Sequence, residues 1–223
     1  GFGLLKVRST RAALASISHA WRRSLLRLRV VAVTGSAGKT TTRRLLEGIL
    51  SAVGPTYASP KSFNNDIGVP LTLLATGDDA RFLVAEIGMN HPGEILPLTE
   101  LAEPEGAIIT LAGRAHLEGM GSVEAVAAEK ASILAGVPEQ GFGVVNGDNP
   151  PLIDAVRAVT DAGRGPARIV TFGTGAGCGY RLDERTPLER GQSIRVRFPA
   201  GSPVPERVAQ FELSMPGEHN ARN

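Results

Sequence analysis

The sequence predicts an α/β fold: a mostly parallel sheet with helices on both faces and a small antiparallel β extension. Three observations predict it. Short apolar runs alternate with stretches of helical period from residue 30 to about residue 173, the pattern of parallel strands joined by crossover helices. The first apolar run passes into a glycine-bearing loop that opens directly into a helical stretch. After Gly173 the helical stretches stop, and three short runs follow one another across turns bearing Gly or Pro.

"STRAALASISHAW" (9–21) reads as a helix capped by Ser9 or Thr10. "VVAV" (30–33) is a buried strand. In the helix that follows, Leu45, Leu46, Ile49, Leu50 and Val53 fall on one face, and Gly54-Pro55 stops it. "PTYAS" is a short strand, "VPLTLLAT" a short helix and "RFLVAEIG" (81–88) a strand. "PGEILPLTELA" is a helix with proline near its start. "GAIIT" is a strand, and 122–136 is a helix with Ser122 as N-cap. "FGVVNG", "PPLIDAVRAVTDAG" and "ARIVTFG" complete the alternation as strand, helix and strand. "GYRLDE", "SIRVRFP" and "RVAQFELSM" form the antiparallel extension. The segments "ERTPLERGQ" and "PAGSPVPER" read as the mobile places.

The 223 residues are 42% hydrophobic and 21% charged, with a formal net charge of +2. That composition suits one large or two small globular domains. The basic cluster "WRRSLLRLR" (21–29) is too short and too apolar to argue for nucleic acid. A single cysteine, Cys178, excludes an intramolecular disulfide, favours a reducing compartment and reads as a bland strand or surface residue. No apolar run is long enough to span a bilayer, and the N-terminus lacks a signal-peptide pattern. The chain begins with Gly and ends in the polar "GEHNARN", so it is expected to be a piece of a longer protein.

In "TGSAGKTT", Gly35 and Gly38 allow a tight turn that aims backbone N–H groups inward, across Ser36 and Ala37. Lys39 brings a cation to outer phosphates, and Thr40 or Thr41 offers a hydroxyl to Mg²⁺. Strand, Gly-Lys-Thr and helix coincide, which disfavours a glycine-rich turn with an incidental lysine. The expected architecture is therefore a P-loop sheet holding a nucleoside triphosphate. The loop is shorter than the commonest form, with two residues between its glycines rather than four.

Glu86 ends a buried strand on the edge where open parallel sheets bind ligands. There a carboxylate can hold Mg²⁺; pairing with a lysine is the plainer alternative. His116 follows another strand on the same edge and gains meaning from its neighbours. In "NNDIGVP" (64–70), the amides of Asn64 and Asn65 can orient a substrate carbonyl or phosphate. Equally, Asn64 and Asp66 can serve simply as caps of the short helix that follows. Asn146 and Asp148 end a further strand, where lining the site and forming an Asn-Gly-Asp turn are both open readings.

"TGSAGKTTT", "NNDIGVP", "EIGMNHPGEI", "AHLEGMGS", the lysine of "AAEKASIL" and the closing "GEHNARN" together resemble the Mur ligase superfamily, over roughly residues 8 to 223. The shortened glycine loop is the form that superfamily uses. Within it the motifs are most similar to the members that join D-alanyl-D-alanine to UDP-N-acetylmuramoyl-tripeptide in the cytoplasm for peptidoglycan synthesis. The resemblance implies three domains. Residues 1–28 would be the tail of an N-terminal UDP-substrate domain with a linker helix, and 29–223 a central ATP-binding domain. A C-terminal domain for the incoming amine would follow.

The resemblance also implies roles. Gly35, Ser36, Ala37, Gly38, Lys39, Thr40 and Thr41 would hold ATP, with Asn220 or Asn223 on its adenine side. Two Mg²⁺ ions are implied, one near Thr40, Thr41 and Glu86, the other near His116 and a carbamylated Lys130. A substrate carboxylate would attack the γ-phosphate, and an amine would then displace phosphate from the acyl phosphate. Another Mur-type or folylpolyglutamate-synthase-type ligase, a plain ATPase and a nucleotide-binding module are the competing readings. Only a ligase requires both carboxylate and amine before it releases phosphate.

Sequence physics reaches Lys130 separately. Val123, Val126, Lys130, Ile133 or Leu134, and Val137 fall on one stripe at helical spacing. An unpaired ammonium on an apolar face is costly, and desolvation favours the neutral amine, which can add CO₂. Snorkelling or a pair with an acid such as Glu86 are the simpler ways out.

Overall fold

The computed structural model describes residues 3–4, 6–60, 63–115, 117–199 and 207–222. In chain order the elements are α1 (Thr10–Ser24), β1 (Arg29–Thr34), α2 (Lys39–Ser51), β2 (Thr56–Ala58), α3 (Gly68–Ala75), β3 (Phe82–Glu86), α4 (Ile95–Ala102), β4 (Gly106–Ile109), α5 (Leu117–Met120), α6 (Val123–Ala135), β5 (Phe142–Asn146), α7 (Pro150–Asp161), β6 (Arg168–Gly173), β7 (Tyr180–Pro187), β8 (Gln192–Arg197), β9 (Val208–Leu213) and α8 (Glu218–Arg222).

Among the described residues the strands form one nine-stranded sheet in the order β2-β3-β1-β4-β5-β6-β7-β8-β9. Pairing is parallel from β2 to β7 and antiparallel from β7 to β9. The chain leaves β1 toward β2 and β3 on one side, then crosses to β4 and β5 on the other. The loops after β1 and β4 therefore diverge, and this topological switch point opens a crevice at the strand ends. The register sets Val33 opposite Glu86 and Ile108, so the loop after β1 starts beside the carboxylate that ends β3.

Side-chain alternation along the strands feeds two apolar layers. Leu83 and Ala85 join the large core, which also takes residues of α3, α4, α6 and α7, with Trp21 of α1 packed against it. Val84, Val33 and Ala58 face the other way, under Leu46 and Leu50 of α2. The face covered by α2 needs only a narrow stripe of it, which leaves Ile49 and Val53 exposed, contrary to the broad face that periodicity predicts.

The predicted caps are present: Ser9 accepts from the N–H of Ala12 and Ser122 from that of Ala125. The first helix runs past the predicted end at residue 21 to Ser24, because its basic residues have partners. Arg22 donates from Nε to the carbonyl of Ala102 (2.9 Å) and from Nη2 to that of Glu103 (3.0 Å). These oxygens end α4, where helix carbonyls lack internal partners. Part of the basic cluster thus serves packing. The stretch 184–187, read as mobile, continues β7, and a tight turn joins it to β8. Most of "PAGSPVPER" lies outside the described residues.

Candidate functional site

Gly38 is the N-cap of α2 at φ 86°, in the left-handed region that favours glycine. A Cβ on Gly35 would collide with the Thr110 hydroxyl. Thr110 stands beyond the end of β4, and its hydroxyl donates to the Ala37 carbonyl. The Ser36 N–H donates to the Leu111 carbonyl at 2.7 Å, and its hydroxyl accepts from the N–H of Gly113 at 3.0 Å. The crevice between the β1 and β4 ends thereby holds the loop from one side. The other side is open: Ala37, Gly38, Lys39, Thr40, Thr41, Asn64 and Glu86 line a cavity of about 320 Å³.

Lys39 donates from Nζ to the Gly35 carbonyl at 2.7 Å, so its amine lies across the loop. Burial pushes its pKa below the ordinary lysine range, and Glu86 partly opposes this. Glu86 is 3% exposed. Its Oε1 accepts from Asn64 Nδ2 at 2.9 Å, and its Oε2 from the Thr40 hydroxyl at 3.2 Å. Arg43, also buried, sets Nε 3.8 Å from Oε2. The cation beside Glu86 is thus an arginine of the loop's own helix. The Glu86 N–H donates to the Ser59 hydroxyl at 2.9 Å, which fixes the strand end.

Lys130 is 1% exposed, flanked on α6 by buried Val126, Ile133 and Leu134. The apolar stripe is therefore real, with Val123 half-buried at its start. Among the described residues no carboxylate pairs with the amine. Burial, and next the charge of Lys39, push its pKa down to about 8, against a smaller upward pull from Glu129.

The two neighbouring asparagines diverge. Asn64 faces Glu86, whereas Asn65 accepts from the N–H groups of Ile67 and Gly68 at the start of α3. Asn65 also lines a second hollow with Asp66, Asn90, Glu94, Pro97 and Leu98. Asn146 donates to the Thr110 carbonyl at 2.8 Å, bracing the strand under the loop. Asp148 accepts from the N–H groups of Thr174 and Gly175 and from the Thr174 hydroxyl. Burial alone would raise its pKa, but these donors hold it below the usual carboxylate range. Asn220 lies on α8 and is not among the residues lining the loop cavity. His116 and Asn223 lie outside the described residues. Among the described residues no cluster of three or more His, Cys, Asp or Glu side chains forms a metal site.

Arg43, Ser59 and Thr110 were not predicted as site residues. Arg43 reads as a surface charge beside Arg44, and nothing local marks it as buried. Thr110 carried a usable signal: it follows the strand next to β1 and so reaches the same edge.

Fold and loop together define an α/β domain whose glycine loop, Lys39 and buried Glu86 line one cavity at the strand ends. Residues 33–223 match the Mur ligase middle domain, and the chain belongs to the Mur ligase family. It is 34% identical over 220 residues to the UDP-N-acetylmuramoyl-tripeptide–D-alanyl-D-alanine ligase of Escherichia coli (strain K12), covering 98% of this chain and 46% of that one. For the ligase of the same name from Bacillus subtilis (strain 168) the identity is 33%, over 99% of this chain and 44% of the relative. A crystal structure of MurF from Acinetobacter baumannii superposes with a TM-score of 0.87 at 30% identity, covering 98% of this chain and 45% of that one. The MurF ligase from Thermotoga maritima in complex with ADP gives 0.85 at 25% identity, covering 98% and 48%. The chain spans about half the length of the curated relatives it matches. No described helix is long and apolar enough to cross a membrane.

Proposed function

We propose that this chain is the ATP-binding domain of a cytoplasmic peptide ligase that joins D-alanyl-D-alanine to UDP-N-acetylmuramoyl-tripeptide. In this reading residues 1–28 lead in from an N-terminal UDP-substrate domain, residues 29–223 form the central domain, and a further domain receives the amine. The observation that carries it is the glycine loop itself, where Lys39 and the hydrogen-bonded Thr40–Glu86 pair line one cavity. The relatives that bear the ligase name align with nearly the whole chain.

Phosphoryl transfer asks for positioning and charge neutralisation more than covalent help. The N–H groups of the loop and the amine of Lys39, which lies across it, would meet the outer phosphates. Thr40 and Glu86 present hard oxygen donors side by side, the set that Mg²⁺ takes. Bound there, Mg²⁺ would neutralise phosphate charge. Unmodified, Lys130 is a buried cation, with burial and the charge of Lys39 both against it. Loss of a proton and addition of CO₂ to the neutral amine, with release of a second proton, would turn that cation into a carbamate whose two oxygens could serve a second Mg²⁺; the resemblance implies His116 as its neighbour there. Asn64 would orient Glu86 or a substrate oxygen, with Asn65 fixing the helix behind it. Asn220 and Asn223 would meet the adenine side.

The full natural protein is expected to form UDP-N-acetylmuramoyl-pentapeptide, seen by mass spectrometry, only when ATP, tripeptide substrate and dipeptide are all present. The 223 residues alone are expected to bind Mg·ADP weakly in calorimetry and to form no amide, since the groups that bring donor to acceptor lie outside them. Amide formation by this chain alone would contradict the division of labour. ATP consumption by the full protein without dipeptide, at the same rate as with it, would contradict the ligase.

A further inference from the structure

None of the residues lining the loop cavity comes from the antiparallel extension, yet the extension contains a buried polar group with an unusual set of partners. Gln192 begins β8 and is fully buried. Its Nε2 donates to the carbonyls of Met215 (2.7 Å) and Gly217 (3.0 Å). Its Oε1 accepts from Arg185 Nε on β7. A buried amide is costly unless satisfied, and an apolar residue would pack a strand more simply. Here the amide is satisfied chiefly by a segment outside the sheet, the four residues that follow β9 and lead into α8.

That segment controls how α8 begins. The Gly217 carbonyl also accepts from the N–H groups of Asn220 and Ala221, and Gly217 has φ 99°. Asn220 Nδ2 donates to the Pro216 carbonyl at 2.7 Å. Gln192 therefore grips the carbonyl on which the helix turns. Glu218 and Arg222 of α8 close a cleft of about 380 Å³ with Thr174, Asp183 and Arg185. Bonds run along the strand ends from the glycine loop to that cleft: Ala37 to Thr110, Thr110 to Asn146, and Asp148 to Thr174. In the reading proposed above, Asn220 of this helix would meet the base of a nucleotide whose phosphates lie at the loop.

The geometry points to Gln192 as a positioning residue for the base end of the nucleotide, acting through α8. The inference rests on the ATP-binding reading above and assigns a task to the extension. Gln192→Glu is the sharper test, because it keeps an acceptor for Arg185 and removes both donated protons. Gln192→Met removes the donors without adding charge. In the full natural protein with Mg²⁺, calorimetry compares ADP with inorganic pyrophosphate, which has no base. Loss of the two bonds is expected to weaken ADP about tenfold and pyrophosphate by less than about twofold. The KM for ATP should rise in parallel, with kcat at saturating ATP nearly unchanged.

Equal weakening of both ligands would indicate general damage and overturn the assignment, as would unchanged ADP binding in a folded variant. Hydrogen exchange on the unsubstituted protein gives a second measurement. The amides of residues 218–222 should slow with ADP and not with pyrophosphate; equal behaviour with the two ligands overturns the inference. Wild-type protein that binds neither ligand would remove the nucleotide reading itself, a result distinguishable from failure of the Gln192 assignment.

Discussion

Lys39→Ala is expected to reduce ATP-dependent ligation by the full natural protein at least about a hundredfold, the scale seen when one preorganised donor to a developing anion is removed. Lys39 makes one hydrogen bond of its own, to the Gly35 carbonyl. The loop is otherwise held by Ser36, Thr110 and the left-handed Gly38. The variant should therefore keep its fold and melt near the wild-type temperature. Because the amine would meet the outer phosphates in the ground state and more strongly as charge develops during transfer, both KM for ATP and kcat should worsen. Steady-state phosphate release and a thermal melt check this together. Turnover near wild type in a folded Lys39→Ala would remove the phosphate-loop assignment.

Lys130→Ala is expected to lose most activity, and a small carboxylic acid such as formate to restore part of it by occupying the place of the carbamate. Truncation also removes a buried ammonium that no carboxylate among the described residues pairs with, so the fold should not suffer for lack of that charge. The modification has a pH signature. With the amine pKa near 8, about a tenth of it is neutral at pH 7 and about half at pH 8. Protein depleted of CO₂ and then given bicarbonate should regain activity faster at pH 8 than at pH 7. The linked stability has a definite sign. A lysine pKa lowered on folding destabilises fully below about pH 8, and the penalty is relieved as pH rises from there toward 10.5. Near-normal activity of Lys130→Ala without added acid would refute the carbamate.

Much of this site was legible before any coordinates because its parts obey local rules. The glycine loop announces itself by strand, Gly-Lys-Thr and helix, and Lys130 by breaking an apolar stripe. Both signals lie within a few residues of chain. Glu86 and Asn64 were each visible as candidates, but their hydrogen bond depends on β2 lying beside β3, which no local pattern encodes. Gln192 escaped for a related reason: a polar residue at the start of an alternating strand reads as a solvent-facing position. Its burial comes from the segment after β9 folding back over it. The two short helices, α5 and α8, are too brief for a periodic signal. Ile49 and Val53 mark the converse error, where periodicity predicts an apolar face wider than the sheet beneath requires.

The central claim is that the loop, Glu86 and Lys130 serve transfer of the γ-phosphoryl group to a carboxylate rather than to water. Isotope transfer tests this most directly. The tripeptide substrate is prepared with ¹⁸O in its terminal carboxylate and turned over by the full natural protein with ATP and dipeptide. The carboxylate oxygen that attacks phosphorus stays with phosphate when the amine displaces it. The account predicts released phosphate carrying one ¹⁸O from the carboxylate for each amide formed. Phosphate free of that label, with amide forming at the normal rate, would contradict it.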